Sequence, residues 1–199
     1  GLLFPGGPID DPSGLAGVTS ILAPAMLLST QLEKDPQRQL MRVADEHGAD
    51  LQSIANGQVF GWIVTASKAS GPMILASLAA HVRRPQISAN AVEDLTAKGA
   101  KQALSNGNAY VYESVAVAVG TALGRKTDLP IYGTADSWKR IDLSSVTTQW
   151  SRMVTPERTV LVVSGNNRAA MLQSAKKHFG AWKRQAQARH RSARACWPR

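Results

Sequence analysis

The sequence predicts an α+β domain. Three observations predict it: apolar residues recurring every three or four positions mark several helices, two runs around Asn56-Gly57 alternate with period two, and helices and strands do not alternate regularly along the chain. With 199 residues, 44% of them apolar, the chain is long enough to bury one large core and too apolar to be disordered over most of its length.

The first element follows Asp11-Pro12-Ser13-Gly14, where Asp11 or Ser13 can cap a helix start. Leu15, Val18, Ile21, Leu22, Ala25 and Met26 then fall on one helical face, and Pro24 within that pattern predicts a kink or break. A second helix runs from about Asp35, with Pro36 in its first turn, to His47-Gly48, where glycine stops it. From Asp50 to Val64 the period of two predicts two strands, and the Asn56-Gly57 pair between them favours the positive φ values of a tight hairpin. Gly71-Pro72 opens a helix that closes before Arg84-Pro85; Ala89 to Leu104 and Ala109 to Leu123 are two more, joined by Ser105-Asn106-Gly107-Asn108. After an irregular stretch from Asp128, a helix runs from Leu143 or Ser144 to Met153. Thr159 to Gly165 reads as a strand apolar on both faces and so covered on both sides, and a helix from about Asn167 to Trp182 closes the domain.

Charge is unevenly placed. Lys and Arg number 23 against 14 Asp and Glu, a net charge of +9, but no acidic residue follows Glu157 while ten basic ones do. Residues 1–157 carry 13 basic and 14 acidic groups, so the body is near neutral. Basic groups at a helix end are favoured by the dipole and by solubility, and Phe179, Trp182 and Trp197 are not interleaved with them as a base-stacking platform. Nucleic acid is therefore not the expected partner. The domain is read as residues 1–183, with 184–199 a basic tail or helix extension.

Local chemistry is sparse. Cys196 is the single cysteine, which rules out an intrachain disulfide and a Cys-based zinc site. No apolar run reaches the 18 residues of a spanning helix, and Gly1 to Pro5 is neither charged nor long enough for a signal peptide. His47, His81, His178 and His190 form no i, i+4 pair, so no helix presents two imidazoles to one metal. Ser164-Gly165 lacks the Gly-x-Ser-x-Gly turn of a nucleophile, and Gly6-Gly7-Pro8 and Gly165-Asn166-Asn167 lack the following Gly-Lys-Ser/Thr of a phosphate loop. Trp62, Trp138 and Trp150 read as core or interface groups, and Lys98 and Lys101 beside Glu93 and Asp94 as a solvated face with local ion pairs.

Four strings in order resemble the insulinase (pitrilysin) family of zinc peptidases, which includes the mitochondrial processing peptidase. Asp11-Pro12-Ser13-Gly14-Leu15-Ala16 is similar to the entry to that family's first helix, and His47-Gly48-Ala49-Asp50-Leu51-Gln52-Ser53-Ile54-Ala55 to its helix-to-edge-strand passage. Leu129-Pro130-Ile131-Tyr132-Gly133 is similar to its His-Pro-Tyr-Gly segment. Thr155 to Gly165, followed by a helix ending His178-Phe179-Gly180-Ala181-Trp182, resembles the end of the domain. The likeness covers about residues 7–183 and is greatest to the N-terminal type of domain. It implies a single layer of mostly antiparallel sheet packed against a layer of helices.

The departure from the family carries the functional expectation. Active members continue Gly-Leu-Ala-His-x-x-Glu-His, whose histidines bind zinc and whose glutamate activates the metal-bound water. Continuing from Gly14-Leu15-Ala16, those three positions are Gly17, Ser20 and Ile21, and no histidine precedes His47. The helix of the family's distal glutamate corresponds to Glu93 through Leu104, where Lys98, Lys101 and Gln102 lie near the expected place. No catalytic residue, metal ligand or cofactor is thus expected in this chain, although zinc is the family's cofactor. The expected role is a non-catalytic half that completes a peptide-binding chamber with a homologous zinc-bearing subunit or second domain. By position, Gln52, Ser53, Ile54 and Ala55 are the edge to which an unfolded peptide would add as a strand. The alternative is a structural or assembly subunit, like the core subunits of the cytochrome bc1 complex. Bacterial periplasm and mitochondrion are the compartments the resemblance implies.

Overall fold

The computed structural model describes residues 1–31, 39–105, 133–166 and 168–183. Among them, seven α-helices accompany one antiparallel sheet of four strands, β1 (Leu2–Pro5), β2 (Asp50–Ala55), β3 (Val59–Thr65) and β4 (Val160–Leu161), in the order β2-β3-β1-β4. The expected α+β class, with a single antiparallel layer against helices, holds.

The chain opens on β1 (Leu2–Pro5), a strand that the sequence reading places nowhere. It pairs with β3 on one side and β4 on the other. Four residues flanked by glycines give no usable alternation; only the partners define this strand. Its Leu2 and Phe4 point into the core opposite Trp62 and Phe60. Phe4 stacks on Phe60 with ring centroids 5.4 Å apart and meets Trp62 edge-on at 6.1 Å, geometries that aromatic quadrupoles favour. The other face of the sheet is more open, with Ile63 43% and Val160 45% exposed.

The expected helix from Ser13 does not form. Residues 11–21 run as turns ending in a 3₁₀ turn, Thr19–Ile21, and α1 (Leu22–Gln31) starts only there. Pro24 therefore sits in the first turn of α1, where its missing N–H has no intrahelical acceptor to lose, and it breaks nothing. α1 is buried nearly all round and packs against β2, β3 and the helices on either side, which is why its periodicity looks extended in the sequence.

Of the second expected helix, residues 32–38 lie outside the described residues; α2 (Leu40–Glu46) is its observed part. Gly48 ends it as expected, at φ +60°. The Ala49 amide donates to Ala44 O at 2.8 Å and the Gly48 amide to Asp45 O at 3.0 Å, a Schellman closure.

β2 (Asp50–Ala55) and β3 (Val59–Thr65) form the expected hairpin. Its turn works differently from the expectation: neither Asn56 nor Gly57 is among the described residues with positive φ. Instead Asn56 Oδ1 accepts the amides of Gln58 and Val59, both at 2.9 Å, so a side chain makes the turn that positive φ was expected to make.

α3 (Gly71–Arg83) and α4 (Ala89–Ser105) stand where the sequence places them. The expected helix Ala109 to Leu123, its connection through Asn108, and residues 128–132 lie outside the described residues. A short helix, α5 (Ala135–Arg140), occupies the stretch read as irregular, closed by a reciprocal cap between Thr134 and Ser137. α6 (Leu143–Met153) follows, capped by the Asp142 carboxylate on the Ser145 amide at 2.7 Å.

The strand expected over Thr159 to Gly165 shrinks to β4 (Val160–Leu161), at the sheet edge with Val160 and Val162 half exposed. It is not covered on both sides, because its apolar run lies at an edge rather than in mid-sheet. α7 (Arg168–Phe179) lies along α3, with Ser174 Oγ donating to Pro72 O at 3.0 Å.

Candidate functional site

The segment that carries Gly17, Ser20 and Ile21 is held by a buried carboxylate rather than by helical hydrogen bonds. Asp11, 7% exposed, accepts the Gly17 amide at 2.6 Å and the Thr19 amide at 3.0 Å. Thr19 also donates its hydroxyl to Asp11 and accepts Gln149 Nε2 at 2.7 Å, which ties the segment to α6. Burial raises the Asp11 carboxyl from 3.8 to about 6, against the lowering by the Thr19 hydroxyl, the two amides and the Arg152 charge. Neighbouring Asp10 is tied to α6 as well, its carbonyl accepting the Arg152 guanidinium.

None of the three positions fits a metal. Gly17 has φ +101°, and a β-carbon built there would lie 2.7 Å from the Trp138 ring, so no side chain has room. Ser20 turns inward and donates its hydroxyl to Gly17 O at 2.6 Å. Ile21 is buried in the core.

Trp138 explains this closure. Its indole is walled by three glycines from three parts of the chain: β-carbons would stand 2.7 Å away at Gly17, 2.6 Å at Gly99 of α4, and 2.8 Å at Gly133. The space between Gly17 and α4 is therefore filled with aromatic carbon. Ser137 fixes the geometry by donating its hydroxyl to Ala16 O at 2.8 Å, a contact spanning 121 positions. Sequence reasoning assigns Trp138 correctly to the core but misses that it sits against Gly17. Gly99, unexplained in the middle of a good helix, is the one local signal that pointed there.

On α4, Asp94 pairs with Lys98 at 2.6 Å on an exposed face, and Glu93, Lys101 and Gln102 are exposed too. His81 Nδ1 lies 2.8 Å from Ser77 O, and the His178 carbonyl accepts Arg83 at 3.0 Å. Among the described residues, no group of three His, Cys, Asp or Glu is placed to hold a metal ion.

Gln52, Ser53, Ile54 and Ala55 do come together on an edge. They belong to β2, which among the described residues has a strand neighbour, β3, on one side only. Gln52 and Ala55 are exposed and Ser53 and Ile54 half-buried. β2 lies against the 3₁₀ turn Thr19–Ile21, so this edge strand adjoins the segment that carries Gly17, Ser20 and Ile21. No helix among the described residues is long and apolar enough to cross a membrane.

Neither a family model nor a curated protein sequence matches the chain significantly. Solved structures do share its fold. A protease from Helicobacter pylori superposes with a TM-score of 0.75 at 16% identity, over 96% of this chain and 46% of its own. Pitrilysin gives 0.63 at 16% identity, over 90% of this chain and 20% of its own. A chain of complex III2 from Candida albicans gives 0.58 at 15% identity, over 89% of this chain and 40% of its own. The fold is thus that of pitrilysin- and insulinase-like peptidase domains, and the chain spans less than half the length of these structures.

Proposed function

We propose that this chain is a non-catalytic peptidase-like domain that completes a peptide-binding chamber with a zinc-bearing half. The observation that carries the reading is the Trp138 indole seated against Gly17 and Gly99, in a domain with the fold of peptidases. A site merely emptied of ligands would leave a cavity or water; one filled by a tryptophan against three glycines has been rebuilt as core. Glycine, serine and isoleucine supply no metal ligand or base of the kind that hydrolysis needs. What remains of the chamber is the open edge of β2, along which a peptide adds through main-chain hydrogen bonds, with Gln52, Ser53, Ile54 and Ala55 beside it.

The test is reconstitution. The chain is mixed with a His-x-x-Glu-His-bearing peptidase subunit of the same fold, and hydrolysis of a quenched fluorescent peptide is followed. The expected result is activity only in the mixture, abolished by replacing that subunit's glutamate and unchanged by Ser20→Ala here. Ile54→Asp should raise KM without preventing association. Zinc-dependent hydrolysis by this chain alone would overturn the reading.

A second reading is favoured by the complex III2 neighbour: an assembly subunit with no peptide role. It predicts a stable complex in which Ile54→Asp changes no peptide affinity.

A further inference from the structure

We propose that a second site, a cleft between the ends of α3, α6 and α7, binds an acidic peptide segment carrying an apolar anchor side chain. This goes beyond the chamber reading, since the cleft is built from other elements than the β2 edge.

The cleft encloses about 540 Å³, within the range of ligand pockets. Its floor is apolar: Trp150 and Val154 are buried there, and half-buried Trp182 flanks them. Trp182 is itself oriented by Phe179, with ring centroids 6.0 Å apart. Tryptophan gives large contact area at small entropic cost and is enriched where binding energy concentrates.

Among the described residues, the charged ones lining the cleft, Arg83, Arg84 and Lys183, are all cationic. Arg84 and Lys183 are exposed and make no ion pair among the described residues. Arg83 gives one N–H to His178 O at 3.0 Å, which fixes the guanidinium before any ligand arrives.

Helix dipoles account for part of this pattern. α3, α6 and α7 all end at the cleft, and each C-terminus brings roughly half a negative charge, about −1.5 in all, screened within a turn. Three whole positive charges exceed that sum. One of the orphan carbonyls, that of His178, is moreover already occupied by Arg83. The excess is positive and rims an apolar floor.

Charge also decides the occupant. No acidic residue follows Glu157, while Arg184, Arg189, Arg191, Arg194 and Arg199 do. Like charge disfavours a basic occupant such as the Arg-rich sequence after Lys183, and a neutral partner gains nothing from the rim. An acidic segment with a leucine or phenylalanine satisfies both rim and floor.

The probe is a fluorescein-labelled peptide alternating glutamate with leucine and phenylalanine, followed by anisotropy against the whole chain, with glutamine and lysine counterparts as controls. The expected result is binding at least tenfold tighter for the glutamate peptide than for the lysine one, weakening several-fold from 50 to 300 mM NaCl. Arg84→Glu and Lys183→Glu should each weaken it about three- to tenfold. Thr147→Trp, on the exposed face of α6 at the cleft, should block it sterically with the charges intact. Ile54→Asp should leave it unchanged, which separates this site from the β2 edge. Equal binding of glutamate and lysine peptides, or indifference to both Arg84→Glu and Thr147→Trp, would overturn the proposal.

Discussion

Replacing Gly99 by alanine isolates the contact on which the account of the rebuilt site rests. In mid-helix, glycine to alanine normally stabilises by about 1 kcal/mol, because alanine loses less backbone entropy on folding. Here the new β-carbon would stand 2.6 Å from two ring carbons of Trp138, far inside van der Waals contact. Trp138 is buried and held between Gly17 and Gly133 as well, so the ring has nowhere to retreat, and overpacking of this kind costs about 1–3 kcal/mol. The clash outweighs the propensity, and Gly99→Ala should destabilise the chain by up to about 2 kcal/mol. In a Trp138→Leu background the clash disappears while the propensity remains, so the same change should then stabilise by about 1 kcal/mol. The sign reverses, and the coupling is about 1–3 kcal/mol. Urea unfolding of the four proteins, followed by far-ultraviolet circular dichroism so that loss of a tryptophan does not affect the signal, measures it. An equal effect of Gly99→Ala in both backgrounds would refute the reasoning.

Three further outcomes are expected. Asp11 has its folded-state carboxyl raised from 3.8 to about 6, so the folded chain holds the extra proton between about pH 4 and 6; its stabilising effect is present at the acid end and lost as pH rises through 6, by about 3 kcal/mol at most. Asp11→Asn should flatten this slope when unfolding free energies at pH 4.5 and 7 are compared, and an unchanged slope counts against the burial of the charge. The opposite trend belongs to Asp142, whose carboxyl the Ser145 amide and hydroxyl hold below its ordinary value, so that its contribution is lost as pH falls through that lowered value. At Gly48, where no atom lies within 4 Å of a built β-carbon, alanine should cost only the left-handed backbone, about 1–2 kcal/mol in thermal or urea unfolding.

Helices α3, α4 and α6 and the β2-β3 hairpin were legible in the sequence because each carries its signal locally: Gly71-Pro72 at a start, Asp142 at a cap, alternation from Leu51 to Val64. β1 was not, since its four residues are defined by hydrogen bonds to β3 and β4, 54 or more positions away. α5 was missed because six residues are too few for a period, and its cap is Ser137 rather than the glutamate or glutamine of the usual box. The segment 11–21 was misread as helix for a physical reason: its apolar spacing is helical, but Asp11 offers the Gly17 and Thr19 amides a better acceptor than the preceding turn does. The same holds for the site. That Gly17, Ser20 and Ile21 carry no metal-ligating side chain is written in the sequence; the indole packed against Gly17 comes from residue 138 and is visible only in three dimensions.

Metal analysis of the purified chain, after equilibration with zinc and extensive dialysis, reports directly on whether the segment around Gly17, Ser20 and Ile21 holds a metal. Far less than one zinc per chain is expected, with the same trace content in a variant altered at Ser20. One zinc per chain that survives dialysis and disappears when residues 17–21 are replaced would contradict this expectation.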